Sequence, residues 1–369
     1  MKLFGAGSRE AETRGEPGQE PAKPALAIPG GLVAISARLP AFVQRGTSGK
    51  AGPLQRYALV AVFVLVVVIF SVEEPSLFLT LANLKSMLDS QAILLILAVG
   101  VTFTLRLGDL DLSFASVMGL SSILVGVLAA EHHVAVPLAI TWAILAALGV
   151  GAINALLVVG MGLNSFIVTL GVSTAIGGVA TALAGSQIIT NMPASLVNLG
   201  TGSFLGVDRS VYYGWLLAAV VWYVYEYTPF GRYQLFAGGN REAARLAGLR
   251  VTMIRVVAYI ASALIYGVAG IFLTSSLAAA DPTVAPQYLL PPLAGAFLGL
   301  TAIQPGRFNV VGAIVGLYLL LTITTGIELA GASAWVGQLL DGVALVLAVA
   351  AAWLLQGRRQ QGHIKNPGL

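Results

Sequence analysis

Apolar stretches long enough to cross a lipid bilayer recur along this chain from Tyr57 onward. The hydrocarbon core of a membrane is about 30 Å thick, and a helix needs about 20 residues to span it. Lipid offers no hydrogen-bond partners, so a single spanning segment must satisfy its own backbone as a helix. We count ten candidate spans: residues 57–72, 83–106, 112–130, 134–158, 164–184, 211–227, 254–277, 288–303, 309–327 and 336–355. The sequence therefore predicts an all-α, polytopic membrane helical bundle with about ten transmembrane helices.

The composition agrees with this class. Hydrophobic residues make up 57% of the chain, charged residues only 10%, and the mean hydropathy is +0.87; soluble domains carry about 25% charged residues. The 43 glycines are typical of membrane helices, where small residues let backbones approach closely. With no cysteine, the chain has no disulfide and no thiolate metal site. We expect membrane lipids around the bundle and no nucleic-acid partner.

The basic residues predict the orientation. If both termini are cytoplasmic, all of the 20 Lys and Arg residues except Lys85 and Arg209 lie on or near the cytoplasmic side. This agrees with the positive-inside rule and favours an even number of spans. Residues 1–56 are rich in Pro, Gly and charge and lack a secretory signal pattern, so we expect a disordered cytoplasmic tail. A transmembrane domain over 57–355 and a cytoplasmic tail over 356–369 follow.

A polar stretch, residues 228–253, interrupts the apolar pattern between the sixth and seventh spans. The glycine pair 238–239 is expected to break the preceding segment, and Asn240 is placed to cap a short helix over 241–247. Gly248 is placed to end that helix in the left-handed conformation. A two-turn helix is marginal alone, so we expect it to pack against a partner. A solvated loop that only fixes topology is the alternative interpretation.

Two carboxylates, Asp109 and Asp111, lie between the second and third spans within apolar flanks. A carboxylate near the centre of a membrane helix costs about 2.5–3.5 kcal/mol on insertion scales, so such residues seldom face lipid. In one interpretation, one of them caps the third helix while Arg106 neutralises one of the charges. In the other, they form a polar wall of a permeation pathway. The two interpretations are compatible.

Four stretches together resemble the sugar-type ABC importer permeases, the family of ribose, xylose and arabinose permeases. GGNREAARLAGL resembles the segment through which that family docks on its ATPase, and GDLDLSFAS resembles its Gly-Ile-Asp-Leu-Ser-Val-Gly-Ser signature, although Asp109 and Ala115 replace glycines. NSFIVTLG, residues 164–171, is similar to the Pro-Phe-Ile-Ala-Thr-Leu-Gly pattern of the fifth span. Residues 290–316 resemble a fourth, glycine-rich pattern. There Pro291 and Pro292 stand where an acidic and a small residue are frequent, and we expect them to break or kink the eighth helix.

The resemblance implies that this chain is the permease subunit of an ATP-driven importer for a small polar substrate such as a monosaccharide, in a bacterial inner membrane. Its implied partners are an ABC ATPase subunit, an external substrate-binding protein received partly by residues 185–210, and a second permease copy or paralogue. The implied ATPase-coupling residues are Gly238, Gly239, Asn240, Arg241, Glu242, Ala243, Ala244, Arg245 and Gly248. The implied substrate pathway runs near Asp111, Ser113 and Thr169, although a membrane-helix Thr more often bonds its own backbone.

The motifs that are missing restrict the chemistry. The chain has no G-x-x-x-x-G-K-[ST] loop, so we expect no cofactor in it, with ATP and Mg²⁺ bound by the partner ATPase. No catalytic triad motif or Cys/His metal cluster appears, which predicts a non-catalytic subunit without a metal. The main alternative function is an ion-coupled secondary transporter, with Asp109 and Asp111 as ion ligands. A membrane enzyme is the third class, and no catalytic constellation supports it.

Overall fold

The computed structural model describes residues 53–333 and 335–364, with side chains described from Arg56 to Ala350 except at Ala334. Apart from Pro53–Arg56, the predicted disordered tail lies outside these residues, as do residues 365–369. The helices are α1 (Pro53–Glu73), α2 (Leu81–Leu105), α3 (Phe114–Gly126), α4 (Val136–Ala155), α5 (Ser165–Leu183), α6 (Ala194–Thr201), α7 (Arg209–Tyr227), α8 (Pro229–Gly239), α9 (Arg241–Leu246), α10 (Val251–Leu277), α11 (Leu290–Gly299), α12 (Val310–Leu329) and α13 (Trp335–Ile364).

Three further helical turns and one small hairpin complete the described secondary structure. π-Helical turns, Val127–Glu131 and Leu156–Gly160, extend α3 and α4, and a 3₁₀ helix, Ala285–Tyr288, precedes α11. Strands β1 (Ser203–Phe204) and β2 (Val207–Asp208) pair antiparallel, with Ser203 opposite Asp208. Apart from this hairpin and an isolated bridge between Ile189 and Ala280, the regular secondary structure of the described residues is helical, which confirms the predicted all-α class.

Each of the ten predicted spans overlaps one of these helices. Within the described residues, seven helices are long and apolar enough to cross a membrane: α1, α2, α3 and α4 with their π-helical turns, α5, α10 and α12. The sixth predicted span became α7, whose 19 residues include several tyrosines, Arg209 and Glu226. The eighth became α11, which has only 10 residues, and the described apolar part of α13 is Trp335–Ala350. The polytopic helical class is confirmed, and the count of ten crossings stays a prediction.

Pro291 and Pro292 do not kink α11. They lie in its first turn, where the missing proline N–H leaves no helical hydrogen bond unmade and the fixed φ angle suits the helix. The 3₁₀ helix, Ala285–Tyr288, precedes them, so α11 starts at the turn that contains the prolines, after the predicted start of the span, and is not bent by them.

Helices α2 and α10 lie at the centre of the packing. Helix α2 packs against α7, α10, α11 and α12, and α10 packs against α2, α3, α4 and α6. Among the 18 most apolar consecutive residues of α2, 78% are buried, whereas none of the corresponding 18 residues of α1 is buried. The central helices are hydrophobic on all sides because they are surrounded by other helices.

Helices α11 and α12 cross with their backbones in contact. Gly295 and Gly299 lie four residues apart on α11, and Gly312 and Gly316 are spaced in the same way on α12. Each of these glycines faces main-chain atoms of the other helix. Asn309 caps α12 by accepting a hydrogen bond from Gly312 N at 2.6 Å, and its amide donates to Gly299 O at 3.3 Å. Such pairs of small residues permit close helix crossings in membranes.

Candidate functional site

The polar stretch 228–253 folds into α8, α9 and the start of α10. Asn240 Oδ1 accepts hydrogen bonds from the backbone N–H groups of Glu242 and Ala243, both at 3.0 Å, so the predicted cap of α9 is present. Gly248 has a φ of +83°, as expected for the residue that ends the helix. Gly238 and Gly239, predicted to break the preceding segment, are the last residues of α8, and the chain turns at Asn240.

One face of α9 packs against the rest of the chain, and another, which we call the open face, is exposed to solvent. Ala244 is fully buried, and α9 packs against α8 and α10. On the open side, Glu242 and Arg245 form a solvent-exposed ion pair at 3.6 Å, and Leu246 is 84% exposed. An exposed leucine beside charged residues on a supported helix is a surface that another protein could cover. Leu246 lies within the predicted coupling segment but was not among its individually named residues.

Asp109 is the acceptor of an ion-pair cluster that joins α9 and α10 to the segment between α2 and α3. We call that segment, residues 107–113, the acidic loop. Arg255 on α10 donates from Nε to Asp109 Oδ2 at 2.8 Å and from Nη2 to Oδ1 at 2.9 Å. Arg241, the first residue of α9, donates from Nη2 to Asp109 Oδ1 at 2.8 Å and to Leu107 O at 2.9 Å. Asp109 is therefore fixed by two arginines far away in the sequence.

Arg106 does not neutralise either carboxylate, which corrects the prediction. Its guanidinium lies 3.8 Å from the ring centroid of Tyr225, and it donates to Phe308 O and Gly231 O, both at 3.4 Å. A guanidinium over an aromatic face gains electrostatic attraction from the ring. Arg106 therefore helps to attach α7, α8 and the start of α12 to the end of α2.

Neither aspartate caps α3, which is a second correction. The residue before α3 is Ser113, and it makes no side-chain capping bond. Asp111 Oδ1 instead accepts from the N–H of Ser113 at 2.9 Å and from its hydroxyl at 2.6 Å. The Ser113 hydroxyl also accepts from Asn154 Nδ2 on α4 at 2.8 Å. Asp111 thus stabilises the turn of the acidic loop and, through Ser113, its attachment to α4.

Thr169 bonds to the acidic loop and not to its own helix. Its hydroxyl accepts from Leu112 N at 3.0 Å and donates to Leu110 O at 3.2 Å. Ser165, one turn earlier on α5, accepts from Leu110 N at 3.2 Å. Two side chains of α5 therefore hold three backbone groups of the loop.

The structure brings the predicted pathway residues Asp111, Ser113 and Thr169 together, and all three are buried. It also connects them to the predicted coupling segment through Asp109. Sequence reasoning did not find Arg255 or Asn154, or the role of Asp109. Two signals pointed there: Asp109 replaces a glycine of the family signature, and Arg255 is a cation within the seventh apolar span.

The opposite end of α2 carries the small hairpin. The N–H of Asp208 on β2 donates to Asp89 Oδ1 on α2 at 3.0 Å. Burial raises the pKa of the Asp208 carboxyl, and the nearby Asp89 carboxylate adds to this effect. The segment 185–210, expected to receive an external partner, therefore contains α6 and a hairpin attached to α2.

Known protein sequences are similar to this chain over most of its length. A family model described as the branched-chain amino acid transport system permease component matches residues 83–349. The ribose import permease of Bacillus subtilis (strain 168) is 32% identical over 306 residues, which cover 82% of this chain and 92% of that protein. This chain belongs to the sugar-type ABC importer permease family.

Other permeases of this family are similar over the same region. The L-arabinose ABC transporter permease of Azospirillum brasilense is 30% identical over 296 residues, 80% of this chain and 87% of that protein. The D-allose transport system permease of Escherichia coli (strain K12) is 24% identical over 295 residues, 80% of this chain and 90% of that protein. No solved structure matches the chain significantly. As a member of the sugar-type permease family, the chain is a multi-pass membrane component of an ABC importer, and the ion-coupled alternative is not supported.

Proposed function

We propose that this chain carries a monosaccharide or a similar small polar compound across a bacterial inner membrane as the non-catalytic permease subunit of an ABC importer. The observation that carries this proposal is the similarity to ribose, arabinose and allose permeases over about four-fifths of the chain. The low charge content and the absence of a nucleotide-binding loop in the sequence agree with it, because the energy must then come from another subunit.

The partner ATPase binds the open face of α9. This face carries Glu242, Arg245 and Leu246, and the buried Ala244 supports it from behind. ATP and Mg²⁺ belong to that ATPase, whose closure pulls on α9. On the other side of the membrane, a substrate-binding protein delivers the cargo to the surface that includes α6 and the hairpin. A second permease copy, or a related permease, completes the pathway.

Asp111, Ser113 and Thr169 border the substrate pathway in this proposal. Polar and ionisable side chains inside membrane proteins commonly line such routes. All three are buried, so they become accessible only when the acidic loop and α5 move apart during transport.

The chain contains no cysteine, which makes this accessibility directly measurable. Thr169→Cys should react with a small membrane-permeant thiol reagent during ATP turnover and be protected in the resting complex. Ser122→Cys is the matched control, because Ser122 is equally buried and bonds Thr274 on α10, away from the loop. Equal labelling of both positions during turnover would reject the pathway assignment.

Reconstitution tests the function itself. The chain, its ATPase and its binding protein are placed in proteoliposomes, and uptake of a panel of labelled monosaccharides is measured with and without ATP. We expect uptake of at least one sugar that requires ATP and the binding protein. Uptake driven by an imposed proton or sodium gradient without ATP would contradict the proposal.

A further inference from the structure

The two arginines that hold Asp109 do so unequally. Arg255 makes a two-point contact with both carboxylate oxygens, and its side chain is 12% exposed. Arg241 makes one bond to the carboxylate and one to the backbone of Leu107, and its side chain is 40% exposed. A two-point guanidinium contact fixes geometry as well as charge, so α10 holds Asp109 more firmly than α9 does.

We propose that Asp109 is a positioning residue through which α9 moves the acidic loop. In this proposal Arg255 holds Asp109 in place on α10, and Arg241 moves with α9. The inference rests on the proposed function, because it assumes that the ATPase acts on α9. It adds a specific route: displacement of Arg241 shifts or releases Asp109 and Leu107, while Arg255 keeps the carboxylate paired on α10.

The contacts of α9 favour this route. Within the part of the chain that the structure describes, the side-chain hydrogen bonds from α9 to the acidic loop are the two made by Arg241. Helix α9 has only six residues, and Arg241 is its first, directly after the Asn240 cap. A short capped helix moves as a unit, so any displacement of its open face reaches the arginine.

The contacts on the other side of Asp109 carry the displacement further. Leu110, the next residue, is bonded through its N–H to Ser165 and through its carbonyl to Thr169. Leu112 is bonded to Thr169 as well. A shift of Asp109 therefore strains bonds to the first turns of α5, which is the helix that carries the proposed pathway residue Thr169.

The unequal contacts of Arg255 and Arg241 with Asp109 also identify a substitution that tests coupling without unfolding the protein. Removing Arg241 leaves Asp109 with both hydrogen bonds from Arg255, so the buried carboxylate keeps an opposite charge. Removing the Asp109 carboxylate would leave Arg255, whose side chain is only 12% exposed, without its opposite charge, which destabilises the fold. Arg241→Gln is thus the informative variant, and Arg241→Lys is the conservative one.

The experiment uses the reconstituted complex and compares Arg241→Gln with Arg250→Gln. Arg250 is an exposed arginine just after α9 and makes no side-chain hydrogen bond within the described residues, so the control removes the same charge nearby. Copurification with the ATPase, ATP hydrolysis and ATP-driven uptake are measured together. We expect Arg241→Gln to copurify normally and to lower uptake per ATP hydrolysed by about tenfold, the size expected when a charge-assisted hydrogen bond is lost.

Arg241→Lys should recover part of that loss, and Arg250→Gln should match the wild type. Equal uptake per ATP for Arg241→Gln and Arg250→Gln would overturn the inference, and so would loss of copurification, which would place Arg241 on the ATPase contact. Failure of the wild type to import with ATP would instead reject the proposed function.

Discussion

Replacing Gly299 by alanine should force α11 away from α12. A methyl group at Gly299 would lie closer than 3.0 Å to main-chain atoms of Gly312 and Ala313, a separation that Cβ atoms essentially never show. Those atoms belong to the backbone of a packed helix, which cannot change conformation to make room as a flexible side chain can. The helices must separate, and the Asn309 bond to Gly299 O must lengthen with them.

The magnitude follows from two opposing effects. Overpacking in a close-packed interior costs about 1–3 kcal/mol. Alanine is a better helix former than glycine by about 1 kcal/mol, which offsets part of that cost. We therefore expect Gly299→Ala to lower the free energy of unfolding by up to about 2 kcal/mol.

Gly149→Ala is the matched control. Gly149 lies within α4 and has nothing within 4 Å of the position of a Cβ, so alanine should stabilise by about 0.5–1 kcal/mol. The two variants should therefore differ by about 2 kcal/mol, or roughly 30-fold in the unfolding equilibrium. Unfolding by SDS added to detergent micelles, followed by tryptophan fluorescence, measures both. If the two substitutions shift the midpoint in the same direction, the close crossing of α11 and α12 is wrong.

Substitutions at three further positions, with matched comparisons, test local features. Ala278→Gly should stabilise the protein by about 0.5–1 kcal/mol in the same unfolding assay, because this exposed residue ends α10 with a φ of 49°; a lower midpoint would contradict the left-handed end. Asn240→Ala should cost α9 about 1 kcal/mol and reduce ATP-driven uptake, whereas Asn240→Asp retains the capping oxygen and should transport normally. Arg255→Gln should lower stability by about 2–3 kcal/mol because Asp109 loses its two-point partner. Arg241→Gln should lower the free energy of unfolding by clearly less. Equal losses for the two variants would contradict the firmer hold of Arg255 on Asp109.

Local signals in the sequence were sufficient for much of this structure. The Asn240 cap and the left-handed Gly248 depend on neighbouring backbone groups, so residue type and spacing predict them. The weak helix preference of glycine likewise predicts the end of α8 at the glycine pair 238–239. Local reasoning assigned Arg106 to the wrong acceptor, because proximity in sequence does not set where a long side chain points.

The sequence by itself determined the helical membrane class, the approximate position of the helices in the ten predicted spans and of α9, and the family, because hydrophobic length and short motifs are properties of contiguous residues. Only the tertiary structure decided the partners of Asp109, since Arg241 and Arg255 lie 132 and 146 residues further along the chain. Likewise, the bonds from Thr169 to the acidic loop exist only because α5 packs beside it. A buried charge takes whichever opposite charge the fold brings within about 3 Å, and that choice depends on how the helices pack.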